Sequence, residues 1–145
     1  MIALIQRVLE ASVHIDGEQT ASIHGGLLAL IGVRPADTEA HSRRLIERVL
    51  QYRVFDDGEG RMNRSLTVVQ GGLLLVPQFT LAADTHKGTR PGFSTAAPPE
   101  LARRLFDLAV EEARSRHREV ACGVFGADMQ VSLINDGPVT IWLES

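Results

Sequence analysis

Three side chains in one short run could do acyl chemistry. Gln78, Phe79 and Thr80 follow Pro77 directly, at the end of the apolar block Leu73-Leu74-Leu75-Val76. Such a block, set off by Gly71-Gly72, reads as a strand buried on both faces. The proline removes a ladder donor and ends regular pairing. Backbone N–H groups just beyond it are released from the sheet and can hold a developing oxyanion, with an amide, an aromatic face and a hydroxyl around them. The plainer alternative is that Phe79 and Leu81 continue an alternating core pattern while Gln78 and Thr80 face solvent.

A second stretch of interest is Asn135-Asp136-Gly137-Pro138-Val139-Thr140. By local chemistry alone, Asp136-Gly137 is a turn between two strands, and Pro138 keeps the next strand off an edge. Arg7, the odd member of an alternating opening strand, either anchors a site or runs its guanidinium out to solvent. Met129 stands at the mouth of another strand, as core filler or ligand contact. No metal or cofactor is implied. The histidines His14, His24, His41, His86 and His117 never come at metal-ligand spacing. Cys122 is the single cysteine, which excludes an internal disulfide, and it reads as a small buried hydrophobe. The Asp56–Gly60 stretch is a surface turn that matches neither a calcium loop nor a phosphate loop.

The elements that must position these residues are legible in outline. Met1 to Val8 alternates as a strand, and Val13–Ile15 and Glu18–Ile23 form a hairpin over Asp16-Gly17. Leu27–Val33 is a continuous apolar run that suits an interior strand. A helix capped by Asp37 or Thr38 follows, with Leu45, Ile46, Val49 and Leu50 on one face. The polar run from Ala83 to Pro99 is a long loop of the kind that often carries function. A second helix starts at Pro98-Pro99 and runs to about His117, with Leu101, Leu105, Leu108 and Ala109 inward. Val120–Phe125, Gln130–Ile134 and Thr140–Leu143 read as closing strands. The expected fold is one α+β domain over residues 1–145, a mostly antiparallel or mixed sheet, or barrel-like sheet layers, covered by two helices.

Composition is that of a globular protein, 44% hydrophobic and 23% charged, with no apolar run near the length of a membrane span. The N-terminal segment lacks the pattern of a signal peptide, so a cytoplasmic protein is expected. A net charge of −3 excludes coating nucleic acid by bulk electrostatics. A nucleic-acid partner would have to meet a local patch. Three groups offer one: Arg43, Arg44 and Arg48; His86, Lys87 and Arg90; and Arg114, Arg116, His117 and Arg118. The first and third read better as solvated helix faces.

The pair PQFTLAAD and NDGPVT, in this order, resembles the D-aminoacyl-tRNA deacylase family. The likeness extends through MIALIQRV, Arg90-Pro91, Phe93-Ser94, Phe125-Gly126-Ala127-Asp128-Met129 and the closing NDGPVTIWLES, which is essentially the whole chain. One departure is Pro77, where the family usually has serine, so any hydroxyl role at that position is missing. A related eukaryotic branch also has proline there but a small residue in place of Phe79, which sets this chain with the main family. The resemblance implies a homodimer that hydrolyses tRNA carrying a D-amino acid or glycine, with Gln78, Phe79 and Thr80 in the catalytic site. It implies a cis Gly137-Pro138 bond reaching into the partner's site, with Met129 and Arg7 assisting chiral selection. Two mechanisms are open: Thr80 as nucleophile, or water assisted by the tRNA's own 2′-hydroxyl beside an oxyanion held by backbone amides.

Overall fold

The computed structural model describes residues 1–145. Its frame is β1 (Ile2–Ile15), a strand of 14 residues that serves two neighbours on one edge and one on the other. Ile2–Val8 pairs antiparallel with β3 (Gly26–Gly32), and Ala11–Ile15 with β2 (Glu18–Ile23). The β1–β2 turn is the expected one, with positive φ at both Asp16 (52°) and Gly17 (83°). On its other edge β1 pairs along its length with β8 (Gln130–Glu144). Beyond β3 the sheet turns parallel, through β6 (Gly72–Pro77) to β7 (Val120–Cys122). A small hairpin of β4 (Arg53–Asp56) and β5 (Met62–Ser65) and a single helical turn, α2 (Leu66–Val69), lie in the chain between the first helix, α1 (Glu39–Gln51), and β6.

Alternation along the strands decides which residues meet which layer. Ala3 and Ile5, Leu27, Ala29 and Ile31, and Leu73 and Leu75 face α1 (Glu39–Gln51) and α3 (Pro99–Arg116), in the larger of two cores. Their neighbours Val8, Leu28, Leu74 and Val76 face the other way. There the sheet curls on itself around a second core with Val13 and Ile23. The mixed sheet, barrel-like and covered by helices, is therefore present. Each fully buried leucine or isoleucine here contributes about 1.5–3 kcal/mol relative to exposure.

Thr38 is the N-cap of α1, and its backbone N–H donates to His41 Nδ1 at 3.0 Å. Asp37 instead closes the preceding turn by accepting from Arg34 N–H at 2.6 Å. In α3 the inward stripe is Ala102, Leu105, Phe106, Ala109, Val110 and Ala113. Leu101 and Leu108, expected inward, are only half-buried. Phe106 and Val110 take that place because the apolar stripe is rotated by one position.

The chain leaves the sheet at Pro77, as the proline predicts, and winds into a 3-10 turn, Phe79–Ala82, so the alternative of an alternating strand through Phe79 and Leu81 does not hold. One strand assignment is corrected. The NDGPVT stretch does not separate two strands by a turn, because both sides of it pair with β1 in the same direction. No helix is long and apolar enough to cross a membrane.

Candidate active site

The Gln78–Thr80 segment is placed by the parallel half of the sheet. Pro77 is opposite Ile31, and the Gln78 N–H still donates to Ile31 O at 2.7 Å before the chain coils away. The first bond of the coil runs from Leu81 N–H to Gln78 O at 3.2 Å. The amides of Phe79 and Thr80 precede that bond and have no acceptor within the turn. Gln78 Nε2 donates to Thr80 Oγ1 at 2.5 Å.

Phe79 is 52% exposed and leans on Phe93, ring centres 5.1 Å apart at 57°. The long loop before α3 brings Phe93 there. Asp84 and Gly92 bond each other's backbone, Thr95 Oγ1 donates to Ala82 O at 2.5 Å, and Ala97 N–H donates to Val33 O at 2.9 Å. The loop thus buttresses the turn, with His86, Lys87 and Arg90 exposed at its tip.

Beside the turn opens a cavity of about 490 Å³, lined on one side by Val76, Pro77, Gln78 and Phe79 and on the other by Phe125 to Met129. Eight of its thirteen lining residues are apolar and Asp128 is the only ionisable one, so it suits a flat, largely uncharged group. Met129 is seated by a deliberate gap. A Cβ at Gly123 would lie 2.8 Å from its sulfur, and the Val124 N–H reaches that sulfur at 3.4 Å. Met129 is therefore part of the wall and not filler of a closed core.

The second motif is an excursion in β8. Asn135 pairs with Val8 and Thr140 with Gln6, so the four residues Asp136 to Val139 stand opposite Arg7 alone. Asn135 clasps the loop from inside, its side-chain amide donating to Arg7 O at 2.9 Å and to Val139 O at 3.0 Å. Thr140 Oγ1 donates to the other end of the same amide at 3.3 Å. Arg7 does not run to solvent. Its Nη1 donates to Val54 O at 2.6 Å, and its buried Nε forms an ion pair with Asp136 Oδ2 at 3.0 Å, off the line of a hydrogen bond. The Gly137-Pro138 peptide is cis, and Gly137 has φ 122°, a conformation that favours glycine. A Cβ there would stand 2.9 Å from both Arg7 Nη2 and Val139 Cγ2. Gly137 and Pro138 are exposed.

Gln78, Phe79 and Met129 thus share one cavity, with Thr80 on the same turn. Gly137, Pro138 and Arg7 form a separate group in the same chain. From the excursion to the turn is three strand steps, β8 to β1 to β3 to β6, and about four residues along β1. On a flat sheet that is roughly 20 Å, from strand spacing and rise.

A model of the family described as D-Tyr-tRNA(Tyr) deacylase matches residues 4–144. The chain belongs to this family of enzymes. A D-aminoacyl-tRNA deacylase of Thioalkalivibrio sulfidiphilus is 62% identical over 144 residues, 99% of this chain and 97% of that protein. A solved structure of a c-Myc DNA unwinding element binding protein is 39% identical, with TM-score 0.95, covering 100% of this chain and 99% of that one. A probable eukaryotic D-amino acid tRNA deacylase shares the fold at 16% identity and TM-score 0.85, over 99% of this chain and 98% of that one.

Several members of the candidate site carry no strong signal in the local pattern. Phe93 and Phe125 are isolated aromatics in loops. Asn135 is the exception, since an asparagine ahead of Asp-Gly at the head of the motif could have marked the clasp. Of the basic groups, Arg43 pairs with Glu39 and Arg44 with Glu47, as a solvated helix face does. Arg116 pairs with Glu112 at 2.5 Å, whereas His117 is buried against Gly71 O. Cys122 is only half-buried, its sulfur 3.6 Å from Arg114 Nη2.

Proposed function

We propose that the protein hydrolyses the ester joining a D-amino acid, or glycine, to the terminal adenosine of tRNA, and that it works in the cytoplasm as a homodimer. Each Gly137-Pro138 excursion would close the partner's cavity. The observation that carries this reading is the separation of the two motifs within one chain, set beside an apolar row across the sheet that is exposed at its β8 end and buried at the cavity. Trp142, Leu4, Leu30 and Val76 are lateral neighbours across β8, β1, β3 and β6, on the face away from the helices. Trp142 is exposed, Leu4 and Leu30 are half-buried, and Val76 lines the cavity. A two-fold axis through such a row superposes one end on the other, because an isologous contact pairs each patch with itself. The partner's excursion then reaches the cavity.

In this arrangement the terminal adenine enters the apolar cavity against Met129, and the ester carbonyl lies at the free amides of Phe79 and Thr80. Gln78 orients the adenosine. Carbonyls of Gly137 and Pro138 take the substrate ammonium, while their backbone fills the space an L side chain needs. Selection is by exclusion, so the achiral glycyl ester passes too. Water attacks the carbonyl carbon, its proton passes by way of the 2′-hydroxyl to the ribose oxygen, and that oxygen leaves as the free hydroxyl. Thr80 is poorly set as a nucleophile, because its Oγ1 accepts a hydrogen bond from Gln78 and the one carboxylate lining the cavity, Asp128, belongs to the opposite wall. Amide stabilisation of the oxyanion then carries much of the rate.

The test follows ester loss from D-tyrosyl-tRNA, L-tyrosyl-tRNA and glycyl-tRNA, and from a D-tyrosyl ester on tRNA ending in 2′-deoxyadenosine. The D and glycyl esters should be cleaved, the L ester spared and the deoxy substrate slow. Cleavage of the L ester, or a strictly monomeric active protein, would overturn the reading.

A further inference from the structure

The cavity has a cation at its lip that no ion pair claims. Arg103, on the exposed side of α3, lays its guanidinium over the ring of Phe125, 4.8 Å from the centroid, and Nη2 donates to Phe125 O at 3.3 Å. The same Nη2 would stand 3.7 Å from a Cβ on Gly126. Phe125 and Gly126 both line the cavity. Ring and carbonyl hold the charge in place, so it loses little freedom on meeting an anion. Arg104 beside it is instead paired with Glu39 at 3.4 Å. No carboxylate is within ion-pair distance of Arg103.

Beyond that lip, Phe125 and Pro99 also border a groove on α3 that carries Glu39, Glu100, Asp107 and Glu111 together with Arg104 and Arg103 itself. Four carboxylates against two arginines leave that groove net negative, so it disfavours a phosphate chain running on from the cavity. Arg103 stands at the boundary between the acidic groove and the apolar cavity.

We infer that Arg103 receives the phosphodiester on the 5′ side of the terminal adenosine, fixing where the acceptor strand crosses the lip. This rests on the deacylase reading. With the ester at the Phe79 and Thr80 amides, the 5′ oxygen lies on the opposite side of the ribose, toward the Phe125–Gly126 wall. Arg103 is then a binding residue for the strand, remote from the reacting atoms. An aminoacyl ester on adenosine alone, which has no phosphate, makes no use of it.

The experiment compares D-tyrosyl-tRNA with D-tyrosyl-adenosine as substrates of the full-length protein. In Arg103→Met, the ratio of kcat/KM on the tRNA ester to that on the adenosine ester should fall about tenfold, through KM, from loss of a charge-assisted contact. Arg103→Lys, which keeps the charge, should recover most of that ratio. The plot of log KM against log salt on the tRNA ester should be shallower in Arg103→Met by about 0.7, the value for one phosphate of a single strand. An unchanged ratio overturns the inference, whether both substrates suffer, as for a mere brace of the Phe125 turn, or neither does. A lysine variant no better than methionine overturns it too. If the wild-type protein cleaves neither ester, the deacylase reading itself falls, and this contact with it.

Discussion

The Pro77–Ala82 turn and the Asp136–Val139 excursion are both departures from a strand, yet they are built in opposite ways. The turn is open, with two unclaimed amides, a half-exposed phenylalanine and an apolar cavity alongside. The excursion is braced: an asparagine bridges its two ends, an arginine pairs with its first residue, and a bare α-carbon fits where no methyl can. A surface that must take up and release a ligand keeps its polar groups free. One that must refuse a ligand has to keep its shape, because a yielding wall excludes nothing.

The contrast can be broken hardest at Gly137. Gly137→Ala should cost about 1–3 kcal/mol from its positive φ and lower D-ester hydrolysis about 100-fold through a displaced wall. Thermal melting and single-turnover kinetics check the two effects. Arg7→Ala leaves Asp136 unpaired and Val54 O without its donor, an expected loss of about 1–3 kcal/mol. It should also narrow the preference for D over L esters, read as a ratio of rates; Arg7→Lys should fall between, lacking the fork.

On the open side, Gly123→Ala pushes a methyl against the Met129 sulfur. Overpacking of this kind costs about 1–3 kcal/mol, so KM should rise about tenfold with kcat little changed. Thr80→Ala should reduce kcat by less than about tenfold, the weight of one neutral hydrogen bond. Abolished activity in folded protein would return the nucleophile role to Thr80.

The smallest effect lies away from both regions. Glu144 is held below its ordinary value of 4.5, first by Arg34 at 2.6 Å and then by the Trp142 indole N–H at 3.0 Å. A depressed carboxyl stabilises the fold above about pH 4.5 and loses that contribution as pH falls through its lower folded value. Melting temperature should drop slightly across that window, and less so in Glu144→Gln.

Period and punctuation made much of the frame legible. The Asp16-Gly17 hairpin, the inward face of α1 and the apolar run of β3 follow from local signals, since each is decided by neighbours a few residues away. The excursion was not legible as such. Asp-Gly reads as a reversal, and nothing nearby reveals that Asn135 and Thr140 both pair with a strand some 130 positions earlier. The cavity was half legible: Gln78, Phe79, Phe125 and Met129 all lie in stretches that carry the resemblance, but the stacking of Phe93 on Phe79 and the joining of the two walls arise only when loops fold back. The inward stripe of α3 lies one position from the expected one because Leu101 and Leu108 weigh more in a hydrophobic pattern than Ala102 and Ala113, the small residues that face the core.

The clasp joins Asn135 to Arg7 across 128 positions of chain. Contacts so distant form late, after the intervening segments have condensed. While a ribosome is still making the chain, most of the cavity side can take shape first, and the excursion must wait for its strand to emerge and find β1. On the proposed reading, a nascent molecule would therefore pass through a stage with a partly built pocket and no gatekeeper, and selection by hand would be complete only when a second copy docks.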